Sequence, residues 1–113
     1  MEKYFCNYNQ SLALKELGFN EICFGWYHPK GNIIYAITKD KDSIVNAPLK
    51  SQVFEWARKQ GYDTKVEKES EGLYFGFYWT GAAWIIVGNG SYEEAESACI
   101  DKLIVILKEN GNI

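Results

Sequence analysis

The most informative stretch of the chain, residues 73–87, reads LYFGFYWTGAAWIIV and contains no side chain that is charged at neutral pH. Successive side chains of a β-strand point to opposite faces. A strand here would therefore place Phe75, Phe77 and Trp79 on one face and Tyr74 and Tyr78 on the other. A thin sheet with helices on one side cannot bury both sets of rings. The pattern predicts an aromatic strand with one face available for binding or self-association.

Strands are predicted on both sides of this stretch. After a turn at Gly81, residues 83–87 read as the next strand, and the alternation of charged and uncharged residues at 62–68 indicates an edge strand before it. Further upstream, residues 21–27 and 33–38 alternate around a turn that contains His28 and Pro29. Residues 39–43, KDKDS, are predicted to form a solvated loop.

Two helices are predicted in the first half of the chain. The first covers residues 10–17, with Asn9 as its N-cap and Gly18 in the left-handed position after its end. The second opens at Asn46-Ala47-Pro48, since proline is tolerated in a first helical turn, and closes at Gly61.

A third helix is predicted from a capping box in which Ser91 and Glu94 satisfy each other's backbone N–H groups. It ends near residue 110. Residues 103–107, LIVIL, are apolar nearly all round, which is typical of a segment that is deeply buried or meets another subunit.

These elements give the order α-β-β-α-β-β-β-α. Short links between consecutive strands favour antiparallel pairing. The sequence therefore predicts a single α+β domain over residues 1–113, with a mainly antiparallel sheet of about five strands and helices packed on one face.

Composition restricts the class of function. The chain is 47% hydrophobic and 24% charged, has a net charge of −3 and contains one arginine, Arg58. Duplex nucleic acid is excluded as a partner because its binding requires a basic stripe. No apolar run has the length of a signal peptide or a membrane span. The three cysteines are widely spaced and odd in number, so we expect reduced thiols in a cytoplasmic protein.

Catalytic and metal-binding patterns are nearly absent. The chain has one histidine, His28, and its odd spacing from Cys23 sends the two side chains to opposite faces of an ideal strand. There is no Cys-x-x-Cys, no histidine pair and no calcium loop. At the glycine-rich loop before the third helix, Ser91 and Glu94 would use the donors that a phosphate needs. We expect no enzymatic activity, metal or cofactor, although pairs among the fifteen Asp and Glu residues stay open.

Two binding hypotheses follow. In the first, the protein binds a protein partner or forms a homo-oligomer through the aromatic face and the apolar third helix. In the second, it binds a small ligand such as a nucleotide, with ring stacking and with His28 or a lysine meeting phosphate. The stacking candidates are Tyr27, Tyr74, Tyr78 and Trp84. The competing interpretation is that these tyrosines complete a two-sided core or pair across strands.

Three segments also carry a resemblance. Residues 12–19 (LALKELGF), residues 47–56 (APLKSQVFEW) and residues 91–104 (SYEEAESACIDKLI) resemble a group of small uncharacterised proteins encoded by phages and prophages of Bacteroidetes-type gut bacteria. The resemblance implies a phage accessory protein that works in a bacterial cytoplasm by binding a host protein or a small molecule. One form of the second hypothesis is then a sponge that sequesters a nucleotide signal of host defence.

Overall fold

The computed structural model describes residues 1–38 and 44–110. A single 3₁₀ turn, Glu2–Tyr4, precedes the regular elements. In chain order these are α1 Tyr8–Glu16, β1 Trp26–Tyr27, β2 Ile33–Ile34, β3 Val45–Asn46, α2 Lys50–Lys59, β4 Thr64–Ser70, β5 Leu73–Trp79, β6 Trp84–Gly90 and α3 Tyr92–Glu109. The loop predicted at residues 39–43 and the chain beyond residue 110 lie outside the described residues.

The α+β class and the antiparallel pairing are confirmed, whereas the predicted strand number and element order are wrong. Among the described residues, six strands form two three-stranded antiparallel sheets, ordered β2-β1-β3 and β4-β5-β6. The additional strand is β3, whose Asn46 was expected to open the second helix. The residue before a proline avoids helical backbone, so the chain stays extended through Ala47 and Pro48. Leu49 is the N-cap instead, which leaves Val45 and Asn46 to pair with β1.

The first sheet is shorter than the sequence indicates. The strands expected at 21–27 and 33–38 reduce to two paired residues each, plus an isolated bridge between Cys23 and Thr38. The ladder is interrupted at Gly25, where a Cβ atom would lie 3.3 Å from both the Phe5 ring and the Ile34 carbonyl oxygen. The Phe5 ring therefore packs closely against the backbone at Gly25, where a larger side chain would be crowded.

Helix ends are fixed by local hydrogen bonds. At α3 the Glu94 N–H donates to Ser91 Oγ at 3.1 Å and the Ser91 N–H donates to Glu94 Oε1 at 2.9 Å, so the predicted capping box is confirmed. Helix α1 begins earlier than expected, because Asn7 rather than Asn9 caps it. In return, the Gln10 side chain accepts a hydrogen bond from the Asn7 N–H at 3.0 Å. If Asn9 were the N-cap, the residue three positions later would be an apolar leucine, which cannot accept such a bond.

The three helices enclose one side of the core. Its fully buried side chains come from all of them: Leu14, Val53, Ile100, Leu103 and Leu107. The apolar run at 103–107 is only partly buried, because Val105 is exposed and Ile106 is half-buried.

Helix α3 lies across β5 and β6 and covers one face of the second sheet. Two glycines permit this contact. A Cβ at Gly76 would stand 2.6 Å from the Ala95 carbonyl oxygen, and one at Gly88 would stand 2.3 Å from the Ala98 Cβ. Both distances are far below van der Waals contact, so the helix rests directly on the strand backbones.

Candidate functional site

The two faces of β5 have different surroundings. Because Gly76 touches α3, Tyr74 and Tyr78 share the face that the helix covers. Tyr78 is only 9% exposed and packs in a cluster with Ala57 and Leu103. The Tyr74 ring meets the Tyr92 ring of α3 edge-on, with 5.4 Å between centroids.

The opposite face carries a contiguous set of apolar side chains. Antiparallel pairing places Trp84 beside Trp79 and Ile86 beside Phe77. We call this set the aromatic face: Phe75, Phe77, Trp79, Trp84 and Ile86. The Trp79 and Trp84 ring centroids are 5.3 Å apart, and those of Phe75 and Phe77 are 6.4 Å apart. Trp84 and Ile86 are 40% and 57% exposed, and Phe75, Phe77 and Trp79 are half-buried, so the surface is partly open in the isolated chain.

A lysine lies over the middle of the aromatic face. The Lys65 Nζ is 4.5 Å from the centroid of Trp84 and 5.2 Å from that of Phe77. The same ammonium forms an ion pair with Glu67 at 3.3 Å. The attraction of a cation to ring faces holds the lysine stem flat against the rings. The aromatic face therefore combines rigid apolar area with one central positive charge.

The five residues proposed from sequence as a ligand site occupy three separate places. Tyr27 and His28 line a groove of about 320 Å³ beside the first sheet. Tyr74 and Tyr78 lie under α3, where Tyr78 is too buried to stack on a ligand. Trp84 belongs to the aromatic face. The structure does not bring the five together.

The groove at Tyr27 and His28 has defined polar groups. Tyr27 meets Tyr8 edge-on at 5.6 Å, and its hydroxyl donates to the Cys6 carbonyl at 2.6 Å. Burial raises the pKa of Tyr27 to about 12, so the phenol stays protonated. His28 Nδ1 accepts from the Lys30 N–H at 3.1 Å. A neutral ring therefore carries its proton on Nε2, which is a donor for a bound molecule.

Burial keeps the thiols of Cys6 and Cys99 in the protonated form. Cys6, Cys23 and Cys99 are all buried. Burial raises the pKa of Cys6 to about 12 and that of Cys99 to about 11, and the thiolate is the reactive species. Within residues 1–38 and 44–110, no group of three or more His, Cys, Asp or Glu side chains is placed to hold a metal ion.

The sequence reasoning identified the aromatic strand and left open which of its faces is covered; its stacking candidates on this strand, Tyr74 and Tyr78, lie on the covered face. It did not name Phe75, Phe77 and Trp79 as site candidates. A signal for the covered side was present, because Gly76 shares the register of Tyr74 and Tyr78, and a small residue in a strand marks the close approach of another backbone. The small residues Ala95 and Ala98 at the start of α3 supply the matching surface.

Comparison of the chain with protein-family models, with curated proteins and with solved structures gives no match. In the part of the chain that the structure describes, no helix combines the length and apolar character needed to cross a bilayer.

Proposed function

We propose that the protein acts by non-covalent binding of a protein partner, with the aromatic face as its contact surface. The observation that carries the proposal is the position of this face on the side of the second sheet opposite α3, with Trp84 and Ile86 substantially exposed. Contiguous exposed apolar surface of this kind marks interaction sites on soluble proteins. Aromatic residues are the anchors that most often dominate binding energy, because they bury large areas with little loss of rotamer freedom.

The chemistry of the surface restricts the partner. Its centre is apolar and carries Lys65, while Glu67 and Asn89 lie at its margin. A partner that presents an apolar patch with a carboxylate at its centre would receive the Lys65 ammonium in exchange for Glu67. The resemblance to phage accessory proteins supports a host protein in a bacterial cytoplasm as that partner.

Binding without turnover is supported by the state of the reactive groups. The three thiols are buried, and burial raises the pKa of both Cys6 and Cys99. His28 is the chain's one histidine and sits in a turn, hydrogen-bonded to a backbone N–H. General acid–base chemistry near neutral pH has few other candidates.

The test uses a face variant and a matched control. Phe75→Thr/Trp79→Thr removes two rings from the aromatic face and keeps residues that favour strands. Ile22→Thr makes the same kind of change at an exposed residue before the first sheet. Proteins captured from an extract of a gut Bacteroidetes host are purified and titrated against all three forms by calorimetry.

We expect the wild type and Ile22→Thr to bind alike and the face variant to bind at least about tenfold more weakly, as the loss of anchor residues implies. Equal affinity of the face variant and the wild type for every captured protein would contradict the proposal.

A second candidate function, small-ligand binding, is favoured by one observation. The groove at Tyr8, Tyr27 and His28 has a volume of about 320 Å³, which is at the lower end of the range for small-molecule pockets. Its rings and the His28 Nε2 donor suit a nucleotide or a cyclic dinucleotide, as a sponge for a defence signal would require.

Thermal denaturation with a panel of nucleotides and cyclic dinucleotides tests this second function. A true ligand at about 100-fold excess over its dissociation constant adds about 2.7 kcal/mol of stability. We expect His28→Ala to reduce that gain. The absence of stabilisation by every member of the panel would eliminate this candidate.

A further inference from the structure

The two edges of the second sheet differ in charge. Edge strand β4 reads TKVEKES and carries four charged residues, Lys65, Glu67, Lys68 and Glu69. Edge strand β6 reads WIIVGNG and carries none, with no proline. Proteins protect exposed edges with charges and prolines because unpaired edge strands recruit other strands. By this criterion β4 is protected and β6 is not.

The backbone of β6 has a free side. In the described ranges β6 pairs with β5 alone, so the N–H and C=O groups on its outer side have no backbone partner among those residues. Unpaired backbone groups of this kind form a ready template for another strand.

A helix position beside β6 is also vacant. On the β4 side, α2 packs against α3, and its Phe54 and Arg58 line a small cavity of about 120 Å³ together with Thr64 and Val66 of the strand. On the β6 side the corresponding space is an open groove of about 370 Å³. The groove is lined by residues of β6 and α3: Ile85, Ile86, Val87, Ala98, Asp101, Lys102 and Val105.

We propose that β6 pairs antiparallel with β6 of a second copy of this chain, about a two-fold axis beside Ile86. The product is a six-stranded sheet in which α3 of each copy fills the groove of the other. This goes beyond the proposed function, because the second copy binds at the β6 edge rather than on the aromatic face, and the pairing joins two open aromatic faces into one surface.

The spacing of the elements suits this arrangement. Paired strands lie about 4.8 Å apart, so the two-fold axis would run about 2.4 Å outside β6. Helix α3 lies over β5 and β6, which places its axis about 5 Å from the two-fold. The two copies of α3 would then be about 10 Å apart, and packed helices are separated by about 8–10 Å.

The side chains along α3 are complementary to their own two-fold image. Asp101 and Lys102 are adjacent and both line the groove. In an antiparallel pair of α3 helices centred near them, Asp101 meets Lys102 of the second copy, and the reverse contact follows by symmetry. Ala98 and Val105 lie one turn to either side and supply the apolar contacts. This complementarity favours a second copy over an unrelated strand.

The arrangement closes at two copies. Both β6 edges are used, and the outer edges of the new sheet are the two charged β4 strands, so no further copy is recruited. About a dozen residues of each copy would be buried, on the order of 1,000 Å² in total, which is the lower bound for a specific interface. We therefore expect a dimer with a micromolar dissociation constant.

Sedimentation velocity on the full chain, from low to high micromolar concentration, tests the proposal. The mass should rise from 13.0 kDa toward twice that value. Ile85→Lys places a charge in the groove without touching the aromatic face and should stay monomeric throughout. Glu69→Lys on the β4 edge should dimerise like the wild type. If Ile85→Lys does not fold, Val105→Glu on the exposed side of α3 replaces it.

Disulfide trapping tests the axis itself. Ile86→Cys should form a covalent dimer under mild oxidation, because the two copies of residue 86 are adjacent across the axis. Glu69→Cys should not, and the three native thiols give little background because they are buried. A monomer at every concentration, or equal trapping by both cysteine variants, would overturn the proposal.

The two proposals fail in different ways. Loss of the dimer together with face-dependent capture of another protein removes the β6 pairing and leaves the aromatic face as a binding surface. A dimer whose aromatic face captures nothing keeps the pairing and removes a role for that face in binding other proteins.

Discussion

The two faces of β5 carry similar aromatic side chains and have different environments. Tyr74 and Tyr78 lie under α3, whereas Phe75, Phe77 and Trp79 lie half-buried on the side opposite the helix. Hydrophobicity alone does not decide which side the helix covers, since the more apolar set lies on the other side. The position of Gly76 decides it, because α3 can approach the strand closely only on the side where a side chain is missing.

The largest expected difference between the faces is in stability. Tyr78→Ala removes a buried ring from the covered face and should cost about 3–4 kcal/mol, as large-to-small core changes do. Phe75→Ala on the open face should cost about 1 kcal/mol, because only cross-strand contacts are lost. Urea denaturation of both variants measures the contrast. Equal losses would mean that the aromatic face is part of the protomer's core.

The contact between Gly76 and α3 should be nearly as sensitive. Gly76→Ala forces a methyl group against the Ala95 carbonyl, where a Cβ would be 2.6 Å from the oxygen. We expect a loss of about 2–3 kcal/mol, typical of overpacking. Asn89→Ala, an exposed position beside Phe75, serves as the control and should change stability by less than about 0.5 kcal/mol. A well-tolerated Gly76→Ala would place α3 farther from the sheet than described.

The cap of α3 should contribute less. Ser91→Ala removes the acceptor for the Glu94 N–H and should cost about 1 kcal/mol in thermal or urea unfolding.

The second hydrogen bond of this cap, from the Ser91 N–H to the Glu94 carboxylate, contributes a stability that depends on pH. The hydrogen bonds with Ser91 lower the pKa of Glu94 below its ordinary value of 4.5. A lowered folded-state pKa stabilises the protein above the unfolded pKa, and this contribution is lost as pH falls through the folded pKa.

Glu94→Ala should therefore be less stable than the wild type at neutral pH, and the difference should diminish below about pH 4.5. Glu93→Ala, in the same helical turn, provides the matched control. A difference that persists unchanged in acid would exclude the hydrogen-bonded carboxylate as its cause.

The smallest effect is on reactivity rather than stability. Cys99 lies under the covered face, within 3.7 Å of the Lys65 carbonyl oxygen, and burial raises its pKa to about 11. We expect no native thiol to react with a disulfide reagent at pH 8 before the protein unfolds. Asn89→Cys on the open side should react at once. Rapid modification of native thiols would show that α3 opens readily.

Features encoded by neighbouring residues were predicted well from the sequence. The capping box at Ser91 and the helix ends at Gly18 and Gly61 are confirmed, with φ of 95° and 92° at the two glycines. Each depends on residues within one helical turn. After each glycine, the next N–H closes the helix, as in the bond from Phe19 to the Leu14 carbonyl at 3.0 Å.

Features that depend on distant pairing were not predicted. The third strand of the first sheet forms because β3 pairs with β1, and no local pattern in Val45-Asn46 predicts that partner. The same limit applies to the candidate site. The alternation in β5 predicted rings on both faces. Which face is covered depends on α3, and this helix begins at Tyr92, after the whole of β6. Tyr74 and Tyr78 were therefore grouped with Tyr27, His28 and Trp84 as ligand-binding candidates, and the fold does not bring these five residues together.

The central claim is that the aromatic face is open in one protomer and is covered when the protein binds. Solvent paramagnetic relaxation of the aromatic side chains in NMR measures this directly, in the dilute protein and again with a captured partner. In the dilute protein we predict stronger relaxation for Phe75, Phe77 and Trp79 than for Tyr78, with the first three becoming protected when the partner binds. Equal protection of all four rings in the dilute protein, or no change when the partner binds, would contradict the account.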